Sequence, residues 1–335
     1  MQKTIFVVDD SDTNLSMAEH ALEAQYRVMT LPSAAKMFAL LDKFTPDLIL
    51  LDIEMPVMDG FEALRLLKSH HQHAEIPVIF LTAVTDPTVE ARGFELGAVD
   101  FVIKPFAVPV LQNRIKTHLH IDRMIRERTA QLKRLQSGIV HVLADIIENR
   151  DRETGGHIER TTVYVRALIL AMMARGVYAD EMHNWDLDLV ASSARLHDVG
   201  KIAISDFILN KPGPLTDEEF ATMKTHAAEG ARIIEQIIGR TGEVAFLYNA
   251  KLFAGYHHEY WDGTGYPQGL KETEIPLQGG IMAVVDVYDA LVSERPYKRA
   301  FTGKEAVDII MADSGKRFDP KIVEVFFGVQ ALNGE

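Results

Sequence analysis

Residues 47–52 read Asp-Leu-Ile-Leu-Leu-Asp, a short apolar run that ends in a carboxylate. Three other runs in the first part of the chain also lead into polar residues: residues 4–9, Ile76–Leu81 and Asp100–Ile103. Helical patterns such as Leu15–Ala24 and Phe61–Lys68 lie between these runs. Buried strands that alternate with helices predict an α/β domain with a doubly wound parallel sheet.

Polar residues stand where these predicted strands end. The carboxyl ends of parallel strands share one edge of the sheet, where open α/β folds place their sites. The residues expected at this edge are Asp9, Asp10, Asp52, Thr82 and Lys104. Three carboxylates held together repel one another unless a cation joins them, which indicates a magnesium site. A hydroxyl and an ammonium beside that site suit phosphoryl oxygens, although any one of the five residues alone could be a polar strand cap.

Short motifs in residues 1–120 match one known family. They are Val8-Asp9-Asp10, Leu51-Asp52-Ile53-Glu54-Met55-Pro56, Asp59-Gly60, Leu81-Thr82-Ala83 and Lys104-Pro105-Phe106. This stretch resembles the receiver domain of two-component response regulators, which has a flavodoxin-like fold. The resemblance implies that Asp52 is the phosphoacceptor and that Asp10, Asp52 and the Glu54 carbonyl bind magnesium. It also implies that Phe101 is the switch aromatic residue and that a sensor histidine kinase is the cognate partner.

A long helical pattern runs from Val110 to Asn149, without proline and with Gly138 as its one glycine. Its apolar residues recur at spacings of three and four, with Arg128 at the single missing step. They are Ile121, Ile125, Leu132, Leu135, Ile139, Val142 and Ile146. This heptad seam predicts a connecting helix over residues 110–149 that forms a coiled coil in a homodimer. The alternative is that the stripe packs on the chain's own domains.

Basic residues cluster in the first part of that helix: Arg114, Lys116, Arg123, Arg126, Arg128, Lys133 and Arg134. Contact with a nucleic acid is an alternative interpretation, but the flanking charges of a coiled coil explain the cluster without one. The formal net charge of −13 also argues against DNA binding, because phosphates require a basic surface.

The composition is that of a soluble globular protein, with 47% hydrophobic and 25% charged residues in 335, a length that allows two or three domains. The chain has no cysteine, so any metal must be held by nitrogen and oxygen. The amino terminus has no signal-peptide layout, and no run of about 18 apolar residues occurs. We therefore expect a cytoplasmic protein that does not enter the membrane.

A second, all-helical domain is expected over residues 137–335, where short turns join helical patterns and no convincing strand appears. Residues 257–267 read His-His-Glu-Tyr-Trp-Asp-Gly-Thr-Gly-Tyr-Pro. Two adjacent imidazoles reach one cavity only if the backbone turns, and the Gly/Pro-rich tail supplies a rigid turn. A pair of histidines alone is weak evidence for a metal, but the chain offers further nitrogen and oxygen ligands, enough together for more than one divalent ion. With His257 and His258, the candidate metal ligands are Glu153, His157, His197, Asp198, His226 and Asp286.

Two of these carboxylates stand in apolar surroundings. Leu189–Asp198 is a mostly apolar helical pattern that ends in His197 and Asp198, and Asp286 lies within the apolar helical run Ile281–Leu291. Burying a carboxylate is costly unless it binds a cation. Asp198 and Asp286 are therefore expected to be ligands, and Asp198 is expected to bridge two ions, which an imidazole cannot do.

Four residues are candidates for substrate contacts: Lys201, Asp289, Arg295 and Lys298. Lys201 follows Asp198 by one turn and can reach a substrate oxygen, while Asp289 follows Asp286 by one turn and would neighbour a ligand or the substrate. Arg295 and Lys298 are cations suited to phosphate or carboxylate.

The constellation over roughly residues 137–330 resembles the HD-GYP subclass of the HD phosphohydrolase superfamily. The matching elements occur in family order: His197-Asp198, His226, His257-His258, Gly265-Tyr266-Pro267, Asp286 and Arg295-Pro296-Tyr297-Lys298. The resemblance implies two or three divalent ions, iron or manganese, with Glu153 belonging to a variant that holds a third metal. Two departures, Gly279-Gly280 in place of Ala-Arg and Val292 in place of Thr, bear on substrate contacts or packing.

The resemblance also implies the substrate, the bacterial second messenger cyclic di-GMP, which would be opened to linear pGpG, with GMP as a further product to test. Divalent ions would activate a water for attack on phosphorus, and Asp198 and Lys201 are the expected catalytic residues. One alternative is a catalytically silent sensor or adaptor of cyclic di-GMP that docks GGDEF-type or other proteins through the Gly265-Tyr266-Pro267 loop. A second alternative is a hydrolase of another cyclic dinucleotide.

Overall fold

In a computed structural model, the structure describes residues 2–83, 86–150, 156–294 and 299–332. The chain divides into two units, Met1–Leu132 and Lys133–Glu335. Among the helices of the described residues, none combines the length and the apolar character that a bilayer crossing needs.

The first unit is built on a parallel sheet, as the sequence predicts. Its described strands are β1 Thr4–Val8, β2 Arg27–Leu31, β3 Leu48–Asp52, β4 Val78–Thr82 and β5 Asp100–Ile103. They pair in the order β2-β1-β3-β4-β5, all parallel. The predicted α/β fold class is confirmed, but β2 is missing from the sequence prediction. This edge strand is half-exposed and reads Arg-Val-Met-Thr-Leu, without a continuous apolar run.

Five helices belong to or begin in this unit: α1 Asp12–Leu22, α2 Ala34–Leu41, α3 Gly60–Ser69, α4 Pro87–Glu95 and α5 Val108–Arg150. Side chains alternate between the two faces of the sheet, as a strand requires. Phe6 and Phe80 pack in the cluster beneath α2 and α3, whereas Ile5 and Val7 pack in the cluster with α1 and the start of α5. Helices therefore cover both faces and leave the carboxyl edge of the sheet for the site.

Helix α5 keeps its predicted apolar seam exposed in the single chain. The relative exposures range from 45% at Ile121 to 65% at Leu132 along the seam, and Leu135 is 58% exposed. The residues of α5 that pack in the second unit are different ones, namely Val140, Ala144 and Ile147. The seam is therefore not used for packing on the described parts of the chain.

The second unit is helical. Its described helices are α6 His157–Arg175, α7 Ala179–Met182, α8 Leu187–Ser193, α9 Asp206–Leu209, α10 Asp217–Thr241, α11 Ala245–Tyr256, α12 Leu277–Val292, α13 Gly303–Ala312 and α14 Pro320–Leu332. The largest core cluster joins α6, α12 and α14 through residues such as Ile169, Val284 and Phe326. The predicted all-helical class is confirmed, and the bridge between Ser314 and Phe318 is an isolated pair.

The predicted helix over Leu189–Asp198 is not continuous. Helix α8 ends at Ser193, a 3₁₀ turn follows over Ala194–Leu196, and a second one spans Val199–Ala203. The His197 N–H donates to the Ala194 carbonyl three residues back, which tightens the backbone just before the histidine and aspartate.

Gly200 allows the second of these 3₁₀ turns to lie directly on α10. A Cβ at this position would meet the His226 carbonyl oxygen at 1.9 Å and the Gly230 nitrogen at 2.5 Å. Gly279 plays a similar part in α12, where a Cβ would meet Tyr256 Cβ at 2.6 Å. The glycine at position 279, one of the two departures from the family pattern, is therefore explained by close helix packing.

We expect Gly200→Ala to lower the free energy of unfolding by about 1–3 kcal/mol, because the clash is with backbone that cannot rotate away. Gly239→Ala in α10 is the matched control. A Cβ there meets no atom within 4 Å, so the change should raise the free energy of unfolding by about 0.5–1 kcal/mol. Chemical denaturation of the full chain measures both, and equal stability of Gly200→Ala and the parent would refute the close contact.

Candidate metal centre and phosphoryl site

Three carboxylates converge at the carboxyl edge of the sheet in the first unit. Asp9, Asp10 and Asp52 each offer an oxygen within 4.8 Å of the others. The Lys104 ammonium lies 2.7 Å from Asp9 Oδ2 and 2.7 Å from Asp52 Oδ1. The donor set is all oxygen, which is what magnesium prefers, so these residues fit the predicted ion.

Charge balance holds this acidic site together. Burial raises the pKa of Asp52, although the hydrogen bond from Lys104 opposes the change. Burial disfavours the charged form of Lys104, but its hydrogen bonds to Asp52 and Asp9 outweigh burial and raise its pKa. Lys104 is therefore a permanent cation beside the expected phosphoacceptor.

The remaining predicted residues of this unit lie around that edge. Thr82 is buried at the end of β4, and Glu54 is exposed just after β3. Phe101 on β5 is buried, with its ring centroid 5.3 Å from that of Phe80 and 5.0 Å from that of Phe94. In this structure Phe101, the expected switch aromatic residue, is therefore turned inward.

The second unit brings the predicted nitrogen and oxygen ligands into two adjoining groups. His157, His197 and Asp198 form one group and His226, His257 and His258 the other, each with one ligand atom per residue within 4.8 Å. Helix α6 supplies the first of these residues, the segment between the 3₁₀ turns supplies His197 and Asp198, and α10 and the end of α11 supply the rest.

Asp198 lies between the two groups. Its Oδ1 is 3.4 Å from His226 Nε2 and 3.7 Å from His257 Nε2. Its Oδ2 is 3.5 Å from His197 Nε2 and 2.8 Å from the Lys201 ammonium. One oxygen thus points toward each group of imidazoles, which is the geometry that a carboxylate shared by two cations requires.

Backbone carbonyls orient the imidazoles. Nδ1 of His197 lies 3.0 Å from the Ala194 carbonyl and Nδ1 of His226 lies 2.7 Å from the Met223 carbonyl. Nδ1 of His257 lies 3.0 Å from the Phe253 carbonyl oxygen. A carbonyl can only accept, so Nδ1 carries the proton and each Nε2 lone pair faces the centre.

His157 is oriented by a carboxylate instead. Its Nδ1 lies 2.7 Å from Asp289 Oδ2, and its Nε2 lies 3.6 Å from Asp286 Oδ1. Arg160 holds Asp289 from the other side, with Nε 2.6 Å from Oδ1 and Nη2 2.9 Å from Oδ2. Asp289 is buried and both of its oxygens are engaged, which differs from the predicted substrate contact and fits the other expectation, a neighbour of a ligand.

The electrostatics favour neutral imidazoles around an ionised carboxylate. Burial lowers the pKa of His197 and of His226 to about 4. Burial opposes ionisation of Asp198, but the charge of Lys201 and the surrounding histidines hold its pKa well below the usual range. Neutral imidazole and carboxylate are the forms that bind metal, so the donor set fits divalent ions such as iron, manganese or zinc.

Glu259 anchors the loop that follows the paired histidines, a role that the sequence prediction missed. This carboxylate is buried and accepts from Gln268 N at 2.7 Å and Leu270 N at 3.0 Å. Tyr266 in the same loop packs on His258, an expected ligand, with 4.7 Å between the two ring centroids. The signal was present, because a Gly/Pro-rich loop leaves backbone N–H groups that need an acceptor.

Three predicted site residues lie outside the described residues: Glu153, Arg295 and Lys298. The described residues also reveal Arg160, which sequence patterns did not single out. Its spacing from His157 is less than one helical turn, and its partner Asp289 is 129 residues away, so only the fold joins them.

Two known families match this chain. The response regulator receiver domain matches residues 5–116, and the HD domain matches residues 141–322. The chain is a response regulator with an HD domain. The predicted order of the two families is therefore confirmed.

This response regulator has relatives that span most of its length. It is 41% identical over 341 residues to a probable cyclic di-GMP phosphodiesterase of Vibrio cholerae serotype O1, with 97% of this chain and 77% of that protein covered. It is 33% identical to the cyclic di-GMP phosphodiesterase response regulator RpfG of Xanthomonas campestris pv. campestris, with 96% and 86% covered. A 3′3′-cGAMP-specific phosphodiesterase of Vibrio cholerae is 38% identical over 194 residues, 58% of this chain and 35% of that protein.

We expect Asp289→Asn to weaken metal binding by about 10- to 100-fold, because an amide has one uncharged acceptor oxygen and cannot accept from both His157 and Arg160 as the two carboxylate oxygens do. Competition with a chelator in metal titrations measures the affinity. Asp188→Asn is the control, since Asp188 is exposed and pairs with Arg166 at 2.9 Å on the surface. Parent-like metal affinity in Asp289→Asn would contradict the positioning role.

Proposed function

We propose that this response regulator is a metal-dependent phosphodiesterase that opens cyclic di-GMP to linear pGpG under the control of Asp52 phosphorylation. The observation that carries the proposal is Asp198, which directs one oxygen at each of two imidazole groups. The names of the near-full-length relatives support the choice of substrate. A protein that bound cyclic di-GMP without hydrolysing it would have no chemical need for so complete a set of oriented metal-binding donors.

The ligand assignment follows the two groups. His157, His197, Asp198 and Asp286 would hold one ion, and Asp198 with His226, His257 and His258 would hold the second. When bound, divalent ions lower the pKa of a coordinated water and neutralise charge on phosphate oxygens. Iron or manganese is the proposed metal, and Glu153 would contribute to a third site.

The protein's own residues orient and complete this centre. Asp289 and the backbone carbonyls fix the imidazoles, which keeps the donors in place without reorganisation. Lys201 lies 2.8 Å from Asp198 Oδ2 and keeps that carboxylate ionised. Its ammonium is also placed to donate to a phosphoryl oxygen beside Asp198, and Arg295 and Lys298 are proposed as further phosphate contacts.

Control is proposed to act through α5. The exposed seam from Ile121 to Ile146 would pair with the seam of a second copy, since burying one such side chain contributes about 1.5–3 kcal/mol.

A sensor histidine kinase is the proposed phosphodonor. The Gly265-Tyr266-Pro267 loop, in which Pro267 is exposed, would contact GGDEF-type or adaptor proteins, and the proposed compartment is the cytoplasm.

We expect the purified protein to carry more than one equivalent of metal and to hydrolyse cyclic di-GMP faster than 3′3′-cGAMP. Asp198→Ala should lower turnover by more than about 100-fold, a larger loss than orienting residues cause. Asp188→Ala, at an exposed aspartate paired with Arg166, is the control. Elemental analysis and product chromatography are the measurements. At most one ion per chain, or faster turnover of 3′3′-cGAMP, would overturn the metal or the substrate assignment respectively.

We expect the acyl-phosphate mimic beryllium fluoride to promote dimerisation and to raise turnover by about 5-fold or more, the usual range of such coupling. Asp52→Ala should not respond. Replacing Leu135 and Ile139 by serine should abolish the response while metal content stays unchanged, because it removes two seam residues.

The control for the seam variant is Arg126→Ser with Glu127→Ser, which removes one charge of each sign from exposed positions off the seam. Sedimentation velocity and turnover are measured together. Equal activation of the seam variant and its control would show that α5 pairing does not transmit the signal.

A further inference from the structure

Three side chains beside the metal centre have no part in the ligand set: Phe220, Lys224 and Tyr266. Phe220 and Lys224 stand one turn apart on α10, just before the ligand His226. The Lys224 ammonium lies 5.3 Å from the centroid of the Phe220 ring and 5.8 Å from that of Tyr266. The amine is thus within cation–π distance of two aromatic rings.

Tyr266 joins this group to the proposed metal ligands by ring contacts. The Tyr266 ring centroid lies 4.7 Å from that of His258, with the planes inclined at 31°, and 6.5 Å from that of His226. Glu259 holds the loop on which Tyr266 stands through two backbone N–H groups. Tyr266 therefore neighbours both the Lys224 ammonium and one imidazole group.

Lys224 differs from other lysines of this region in its partners. Lys201 lies 2.8 Å from Asp198, Lys211 lies 2.5 Å from Glu219 and Lys251 lies 2.8 Å from Glu235. Among the described residues, no carboxylate lies within 4 Å of the Lys224 ammonium. An ammonium held by rings alone keeps its hydrogen-bond donors available for an anion.

Phe220 adds an apolar face to that cation. Its side chain is 50% exposed although its ring contacts the lysine. An exposed aromatic face is a surface on which a purine can stack, and an adjacent ammonium suits the phosphate attached to the same nucleotide. A cyclic dinucleotide has two phosphates and two bases, of which the metal centre can engage one phosphate at a time.

We propose that Phe220, Lys224 and Tyr266 form a nucleotide subsite that binds the non-reacting half of the cyclic dinucleotide, with Lys224 on its phosphate and Phe220 against its base. The proposal rests on the proposed phosphodiesterase function and adds a specificity determinant to it. The subsite selects a dinucleotide over a simple diester, because a simple diester has no second phosphate or base to occupy it.

The test compares two substrates in the metal-loaded full-length protein. The first is cyclic di-GMP and the second is bis(p-nitrophenyl) phosphate, a diester without nucleobases. Lys224→Ala and Phe220→Ala should each lower kcat/KM for cyclic di-GMP by about 10-fold, mainly through KM. Both variants should keep kcat/KM for the simple diester within about twofold and should keep the metal content.

Lys251→Ala and Tyr248→Ala are the matched controls. They remove a second lysine–aromatic contact of the same unit, in which the ammonium lies 5.9 Å from the ring and is also paired with Glu235. Both control variants should keep the parent value of kcat/KM for both substrates. Parallel losses on both substrates, or loss of metal, in the Lys224 and Phe220 variants would show a structural role and overturn the subsite.

A binding readout separates the subsite from the proposed function. Cyclic di-GMP is added as an inhibitor of diester hydrolysis, and its inhibition constant should rise by about 10-fold in Lys224→Ala. If the parent binds but does not cleave cyclic di-GMP and this rise is seen, the proposed function fails and the subsite stands. If the inhibition constant is the same in parent and variant, the subsite fails whatever the turnover.

Discussion

A half-buried carboxylate surrounded by neutral imidazoles is the constraint on which the second unit depends. Asp198 has nitrogen lone pairs facing both of its oxygens, and Lys201 is its cationic neighbour within the described residues at 2.8 Å. Lone pairs and a negative charge repel one another, so bound cations would relieve this repulsion and stabilise the arrangement. The backbone must therefore be held from outside: Gly200 seats the Asp198 segment on α10, and Glu259 fixes the loop after the paired histidines.

In the receiver unit, a lysine balances the charge of crowded carboxylates. Asp9, Asp10 and Asp52 are crowded at the carboxyl edge of the sheet, and Lys104 lies 2.7 Å from two of them. A phosphoryl group on Asp52 would change the charge that Lys104 compensates, which is why one covalent event can redistribute contacts at this edge. In the second unit, bound divalent ions would neutralise the carboxylate instead, so the two sites would balance their negative charge in different ways.

The sequence predicted the elements whose signal is local. Continuous apolar runs identified four strands, and heptad spacing identified α5, which extends from Val108 to Arg150. The edge strand β2 was missed because half of its surface faces solvent and its residues are mixed. Arg160 and Lys224 escaped assignment for another reason: their roles depend on partners distant in sequence, such as Asp289, which lies 129 residues from Arg160. The residue types that bind metal can be recognised in the sequence. The residues that orient those ligands, or that lie beside the centre, can be identified only from the fold.

The last turns of α5 form hydrogen bonds to segments that carry residues of the candidate metal centre. Glu148 accepts from the His157 backbone N–H at 2.8 Å, at the start of the helix that carries this ligand. Arg150 donates to the Ile202 and Ile204 carbonyls at 3.2 and 3.3 Å, in the segment that follows Lys201. Both ligand-bearing segments of the first imidazole group are thus tied to one turn of α5. A rotation of this helix by a fraction of a turn would move His157 and Lys201 relative to Asp198, which requires no change in the core. In the proposed dimer, pairing of the exposed seam would also set the orientation of α5, so the quaternary state and the geometry of the proposed ligands would depend on the same helix.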